Sequence, residues 1–331
     1  MIPTIFVPNE VRGGEPLPPN FTAEAIKHLH KSGIVVLANA VPTTDLDALY
    51  AELAPKAASL AKAPGQQHFN FGRHTGNVSQ GPPLDDTSLL FRDVWANPVV
   101  VSVLAAALGP EPVLQRVCGN TALQAAVTGG QPVHSDIDFA HPNFPFSYVV
   151  NVPLVDMTES NGATEVWVGS HNATSFGDQV HGPLLGPDQR SQELPARAIL
   201  PQLIERRCAL SPPVRACTQK GSLIIRDLRL WHAGRPNLTP NPRVMLAFVW
   251  QAAWWCGRGR IRLPHASRPI FDVWKKEAVV PFRIAARWVD EAVEPQVNGQ
   301  ADVESSLESS DNELMRMFAG EYRVPSLVSK L

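Results

Sequence analysis

Within "QPVHSDIDF" (131–139) a histidine and two aspartates alternate: His134, Asp136 and Asp138. If this run is extended, neighbouring side chains alternate between two faces, and His134 and Asp136 project to the same side. An imidazole nitrogen and a carboxylate oxygen two residues apart could serve one cation. The pair alone does not specify a metal, because H-x-D is more often a surface feature or a helix cap. A third ligand is needed. Of the ten histidines, His232 stands apart: it ends a strand-like run, "GSLIIRDLRLWH", and precedes the turn-rich "AGRPNLTPNP". An antiparallel β core could carry that strand end to His134. Two histidines and one carboxylate on one side of a metal leave three positions open, which suits non-haem Fe(II) binding a cosubstrate and dioxygen together.

Eleven residues beyond His232 stands Arg243, at the head of the apolar run "RVMLAFVW". A buried arginine at a strand start needs an anion, and its planar fork matches a carboxylate. A dicarboxylate such as 2-oxoglutarate would chelate iron through its 2-oxo acid end and reach Arg243 with its far carboxylate. Taken alone, Arg243 reads more readily as a surface residue closing a turn. Asp138, two places beyond Asp136, is either an acceptor behind the ligands, on the substrate side, or a solvated strand end.

The elements that must position these residues fall into two parts. "FTAEAIKHLHKSG" (21–33) predicts a helix capped by Thr22 and stopped at Gly33. "IVVLANA" predicts a buried strand. "TTDLDALYAELAPKAASLAK" predicts a second helix, with Leu46, Leu49, Tyr50, Leu53 and Leu60 on one face and a capping box from Thr44 and Asp47. "NPVVVSVLAAALG" predicts a third helix, with Pro98 in its first turn. From about 112 short β-prone runs alternate with turns: "EPVLQRVC", "TALQAAV", "FSYVVNVPLVD", "TEVWVGS", "GSLIIRDL" and "RVMLAFVWQAAWW". That succession predicts a sandwich or barrel of antiparallel strands. The segment 172–220, holding one helix at "ILPQLIERRCA", is too long for a passive connection and reads as a lid or side wall.

Composition bounds the alternatives. A chain of 331 residues with 44% hydrophobic and 18% charged residues is globular rather than disordered. Thirty-one prolines, about twice the usual share, argue against a helical bundle. A net charge of −2 gives no electrostatic footprint for nucleic acid. No apolar run is long enough to span a bilayer. The opening "MIPTIFVPNEV" lacks the basic and apolar regions of a signal peptide. Cys118, Cys208, Cys217 and Cys256 are widely spaced, and read as small apolar fillers in a reducing compartment. The final Ser329, Lys330 and Leu331 spell a peroxisomal address for an import receptor if the source is eukaryotic; otherwise the expectation is cytoplasmic. A homodimer is the one assembly allowed for.

Together these residues resemble the phytanoyl-CoA dioxygenase family of Fe(II)/2-oxoglutarate oxygenases. "QPVHSDIDF" is similar to the family's H-x-D segment. "DMTESNGATEVWVGSHN" (156–172) is similar to its N-G-A-T…G-S-H segment. "GSLIIRDLRLWHAGRPNLTPNPRVMLAF" (221–248) is similar to its distal histidine and arginine segment. The resemblance covers roughly 20 to 290. It implies a mainly β fold with packed helices: a double-stranded β-helix (jelly-roll, cupin-like) core. The expected layout is one oxygenase domain over 1–295, with a helical part at about 20–110 and the β-helix at about 112–256. An acidic link, a short helix and a tail would fill 296–331. The resemblance places His134, Asp136 and His232 as metal ligands and catalytic centre, Arg243 and Thr164 at 2-oxoglutarate, and Gln131 as a further lining residue. Val168 and Glu165 depart from the family pattern and would alter the pocket wall.

The implied reaction couples oxidative decarboxylation of 2-oxoglutarate by dioxygen to C–H activation of a small-molecule substrate: hydroxylation, desaturation or cyclisation. The loop 66–83 could carry substrate contacts from Phe71, Arg73, His74 or Asn77, and Trp231 either lines the pocket or fills the core. The leading expectation is a tailoring oxygenase acting on a biosynthetic intermediate. A peroxisomal acyl-CoA 2-hydroxylase is the alternative, weakened by the lack of a dense basic run for CoA phosphates. A non-catalytic β-helix binding protein is the reading of another class.

Overall fold

A computed structural model describes residues 1–11, 14–64, 69–180, 197–290 and 307–309. The strands, in chain order, are β1 (Thr4–Phe6), β2 (Ile34–Ala38), β3 (Asn77–Ser79), β4 (Val113–Ala122), β5 (Ser147–Pro153), β6 (Glu165–Val166), β7 (Val214–Arg215), β8 (Leu223–Asp227), β9 (His232–Ala233), β10 (Arg243–Gln251), β11 (Ile261–Pro264), β12 (Arg283–Ile284) and β13 (Ala286–Val289). The helices are α1 (Pro19–Ser32), α2 (Thr43–Lys62), α3 (Arg92–Trp95), α4 (Pro98–Leu108), α5 (Pro201–Leu210) and α6 (Arg268–Glu277). The major sheet runs β1-β2-β8-β5-β10-β4-β12, with β3 also on β4. A minor sheet, β7-β6-β9, is extended by isolated bridges that join His232 to His134 and His134 to Ala198. These two sheets form the jelly-roll core that the chain's segments imply.

Alternation explains the layering. Leu246, Phe248 and Trp250 of β10, Val150 and Val152 of β5, and Leu223 and Ile225 of β8 point outward. They meet Leu29 of α1, Leu46, Leu49 and Leu53 of α2, and Val100 and Leu104 of α4 in one apolar core. The other face of the same strands turns toward the minor sheet. There Ile34, Val36 and Ile224 pack on Val166 and Leu230, and Val149 and Val249 pack on Ile137 and Phe139. Polar side chains occupy the ground between these two patches. Among the described residues, no helix is long and apolar enough to cross a membrane.

Several local expectations change. Helix α1 begins at Pro19, three residues before Thr22, whose hydroxyl donates to the Leu17 carbonyl instead of capping; Gly33 does end the helix in the left-handed conformation. Helix α2 has no capping box, because Asp47 pairs with Lys220 and Thr44 bonds Asp45. The two runs expected between 112 and 127 are one strand, β4. Gly119 makes no turn there: it admits the close approach of the Gln80 backbone, which a Cβ would strike. Three of the four cysteines are exposed, so only the half-buried Cys118 could act as a filler. The expected final helix near 312–322 and Ser329-Lys330-Leu331 lie outside the described residues. Leu307 within the expected acidic link is buried, and its carbonyl accepts from Gln251 and Trp255.

Candidate metal centre

Residues 131–139 are not a continuous strand. Their one bridged residue is His134, which pairs with Ala198 on one side and His232 on the other; the backbones of His134 and His232 exchange N–H···O bonds, both 2.9 Å. That bridge sets the two imidazoles side by side, with ring centroids 4.2 Å apart. The Asp136 N–H donates to the Leu228 carbonyl, which turns the carboxylate back over both rings. Asp136 Oδ1 lies 3.8 Å from His134 Nε2 and 3.5 Å from His232 Nε2. One ligand atom from each residue lies within 4.8 Å of the others, and this is the one such group of potential ligands among the described residues.

The tautomers follow from the backbone. His134 Nδ1 lies 2.9 Å from the Pro132 carbonyl and His232 Nδ1 lies 3.0 Å from the Leu230 carbonyl. With each Nδ1–H assigned to its shorter carbonyl contact, each Nε2 lone pair faces Asp136, and Arg226 Nη1, 3.3 Å from His232 Nδ1, then makes no hydrogen bond to it. Burial pushes the His134 imidazole down to about 4, against the pull of Asp136, and pushes His232 well below its usual value, with Arg226 adding to the effect. Both rings are therefore neutral at physiological pH and ready to ligate. Burial would raise the Asp136 carboxyl, but Arg226, His232 and His134 outweigh it and hold it well below the usual carboxylate range. Arg226 Nη2 donates to Asp136 Oδ2 at 2.7 Å. One carboxylate oxygen is thus held by the protein, and the other is left toward the histidines.

Arg243 is buried, at 1% exposure. Its Nη1 and Nη2 make long bonds to the Asn120 and Gly162 carbonyls, 3.4 and 3.3 Å, and its Nε has no acceptor. Among the described residues no carboxylate pairs with it, and burial, reinforced by Arg215, lowers it to about 10. A guanidinium so desolvated favours an incoming anion. Gln131 is similar: Oε1 accepts from the Gly234 N–H, while Nε2 is buried without an acceptor. Cross-strand register sets Arg243, Ala122 and Asn77 in one row of the inward face, and Asn77 Oδ1 is also unpartnered. Thr164 is half-buried one residue before β6, which pairs with the His232 strand.

The substrate candidates separate. The Phe71 ring lies 4.5 Å from the His134 ring, aimed there by a left-handed backbone (φ 61°) that strains a non-glycine residue. Arg73 is turned away: it donates to the Ala61 carbonyl at the end of α2 and covers Phe69. His74 and Asp138 are exposed, so Asp138 does not share the buried side of Asp136. Trp231 packs on Trp167 and Ile199 and donates to Thr174, which makes it core. Sequence reasoning missed Arg226. Its signal was an arginine inside an apolar strand, on the face opposite Asp227.

A jelly-roll that gathers two histidines and one carboxylate, and that buries a guanidinium with no carboxylate partner among the described residues, defines the class of non-haem iron, 2-oxoglutarate-dependent oxygenases. The model of the phytanoyl-CoA dioxygenase (PhyH) family matches residues 29–245, and the chain belongs to that family. Among solved structures it is similar to the non-heme alpha ketoglutarate dependent epimerase SnoN from nogalamycin biosynthesis, at 16% identity and TM-score 0.48 over 71% of this chain and 82% of that one. It is also similar to SnoN in complex with Fe3+, alpha ketoglutarate and nogalamycin RO, at 16% identity and TM-score 0.51 over 71% and 85%. At that identity the second likeness, with a TM-score of 0.51, shows the fold alone.

Proposed function

We propose that His134, Asp136 and His232 hold Fe(II), and that Arg243 takes the far carboxylate of 2-oxoglutarate, with Thr164 and Gln131 beside it. On this reading the chain activates a C–H bond of a small-molecule biosynthetic intermediate, as a tailoring enzyme. The observation that carries it is the guanidinium of Arg243, buried without an anion in a fold that also gathers the three ligands. The neutral imidazoles present Nε2 without first losing a proton. Iron and 2-oxoglutarate, once bound with dioxygen, supply the oxidant that removes a hydrogen atom from the substrate. The protein's own residues do the rest. Arg226 fixes the Asp136 carboxylate, Gln131 offers a free N–H, and Phe71 shields the His134 side of the centre from water.

The test is spectroscopic. Mixed anaerobically with Fe(II) and 2-oxoglutarate, the protein should develop a weak visible charge-transfer band. His232→Ala should abolish it. A band that survives that substitution unchanged would remove His232 from the ligand set. Arg243→Met should weaken 2-oxoglutarate about 10- to 100-fold while iron binding is retained.

A further inference from the structure

On the central strands β4 and β10 the half-open positions between Arg116 and Asn120, and at Met245 and Ala247, all lie on one face. Residues opposed across a ladder share a face, and the register opposes Cys118 to Ala247 and Asn120 to Met245. The outward face of the same strands is sealed by helices. Partial exposure in the middle of a sheet therefore marks an open chamber between the two sheets.

The rim of that chamber carries a cation with no assigned task. Arg197 precedes Ala198, which bridges to His134. Its guanidinium carbon lies 5.9 Å from the centroid of Phe71, whose ring lies 4.5 Å from that of His134. Metal ligand, aromatic ring and guanidinium therefore follow one another outward. Arg197 is near enough for its charge to be felt at both His134 and Cys118. The neighbouring carboxylates are engaged elsewhere: Asp136 by Arg226, Asp227 by Arg229, and Glu165 by Arg235. None of the described residues offers Arg197 a carboxylate.

Arg116, on the same face, has a partner of its own. The charges around the three ligands can be summed. Arg226 offsets Asp136, and Fe(II) offsets the two carboxylates of 2-oxoglutarate. Arg243 and Arg197 remain as positive charge with no carboxylate partner among the described residues, and a cleft of one sign draws in the opposite sign. We infer that the substrate carries a free carboxylate, which Arg197 binds while Phe71 packs on the adjoining apolar skeleton. The inference rests on the iron and 2-oxoglutarate assignment of the same site. It favours a free acid over an acyl-CoA. A thioester is neutral near its reacting carbon and carries its phosphates at the far end of the pantetheine arm, whereas Arg197 stands one ring away from a metal ligand.

The experiment uses the full chain, native and as Arg197→Met and Arg197→Lys. The probes are alkyl and aryl monocarboxylates with their methyl esters and CoA thioesters. Two readouts are taken: the shift each probe causes in the Fe(II)–2-oxoglutarate band, and calorimetric titration of the metal-free protein. Free acids should shift the band and bind, esters and thioesters should not, and Arg197→Met should weaken acids by about tenfold or more. Arg197→Lys should recover part of that loss, and 2-oxoglutarate affinity should stay within about twofold throughout. Equal response to acids and esters, no acid binding at all, or undiminished acid binding by Arg197→Met would overturn the inference. So would a loss of 2-oxoglutarate in Arg197→Met as large as that in Arg243→Met. A native protein that forms no band at all would instead overturn the iron assignment, while calorimetry still decides the carboxylate site.

Discussion

Arg226 and Asp227 are consecutive residues of β8, and each forms an arginine–carboxylate pair on its own face of the sheet, the first partly buried and the second fully buried. Outward, Asp227 meets Arg229. Its Oδ1 accepts from the Arg229 Nε and backbone N–H, both at 2.9 Å, and its Oδ2 accepts from Nη2 at 2.7 Å. Both oxygens are consumed and both side chains are fully buried, at 1% and 2% exposure. Inward, Arg226 meets only Oδ2 of Asp136, and Oδ1 faces the Nε2 atoms of two imidazoles whose Nδ1 atoms lie against backbone carbonyls. One pair is closed and the other is half open. Chemically they are the same contact. What separates a structural pair from a site is the lone pairs left over, on a carboxylate that is 26% exposed rather than sealed at 1%.

The comparison breaks most sharply when each carboxylate is removed. Asp136→Ala should lose the iron–2-oxoglutarate band altogether. Asp227→Ala should cost about 3–5 kcal/mol of stability, because it strands the Arg229 guanidinium in the core. Iron bound per folded molecule should then be unchanged. Denaturant unfolding and iron content measured on both variants separate the roles. Loss of iron from folded Asp227→Ala would show the outward pair to be part of the site.

Arg226→Met probes the half-open pair from its other end, with a smaller effect. In the metal-free protein it leaves Asp136 without its donor, at a cost of about 1–3 kcal/mol. With metal present the sign reverses. A cation beside the centre is gone, and Oδ2 is released to the metal, so Mn(II) or Fe(II) should bind about tenfold more tightly or better. The rise in melting temperature on adding Mn(II) should therefore be larger for Arg226→Met than for the native protein. A smaller rise would mean that Arg226 matters for aiming the carboxylate rather than for sharing its charge.

Much of this was legible in the chain. The ligands His134, Asp136 and His232 could be picked out because residue type and order carry their chemistry. The helices α1, α2 and α4 could be placed because an apolar face at helical spacing is a local property. The misses have a common cause. Thr22 and Asp47 fit capping patterns, but each found a partner elsewhere in space, so local pattern lost to tertiary contact. Gly119 reads as a turn until the Gln80 backbone is seen against it. Arg73 and His74 sit in the right loop, yet the backbone turn at Phe71 and Gly72 sends one side chain to the site and leaves the others outside. Arg226 escaped notice because an arginine in "LIIRD" gains its meaning only when Asp136, 90 residues earlier, is folded onto it.

The smallest expected effect sharpens the comparison at its third carboxylate. Asp138 repeats the spacing from His134 to Asp136, and strict alternation would turn it to the same side. The chain leaves the extended conformation after the bridges at His134, so Asp138 reaches solvent while Ile137 and Phe139 enter the inner apolar patch. An exposed carboxylate with no ion pair among the described residues contributes little, and Asp138→Asn should alter stability by no more than about 0.5 kcal/mol. It should leave the iron band and 2-oxoglutarate affinity unchanged. A shifted band would mean that Asp138 reaches the centre once it is loaded. Then spacing in the sequence, rather than the lone pairs left over, would be the better guide to which carboxylates serve the site.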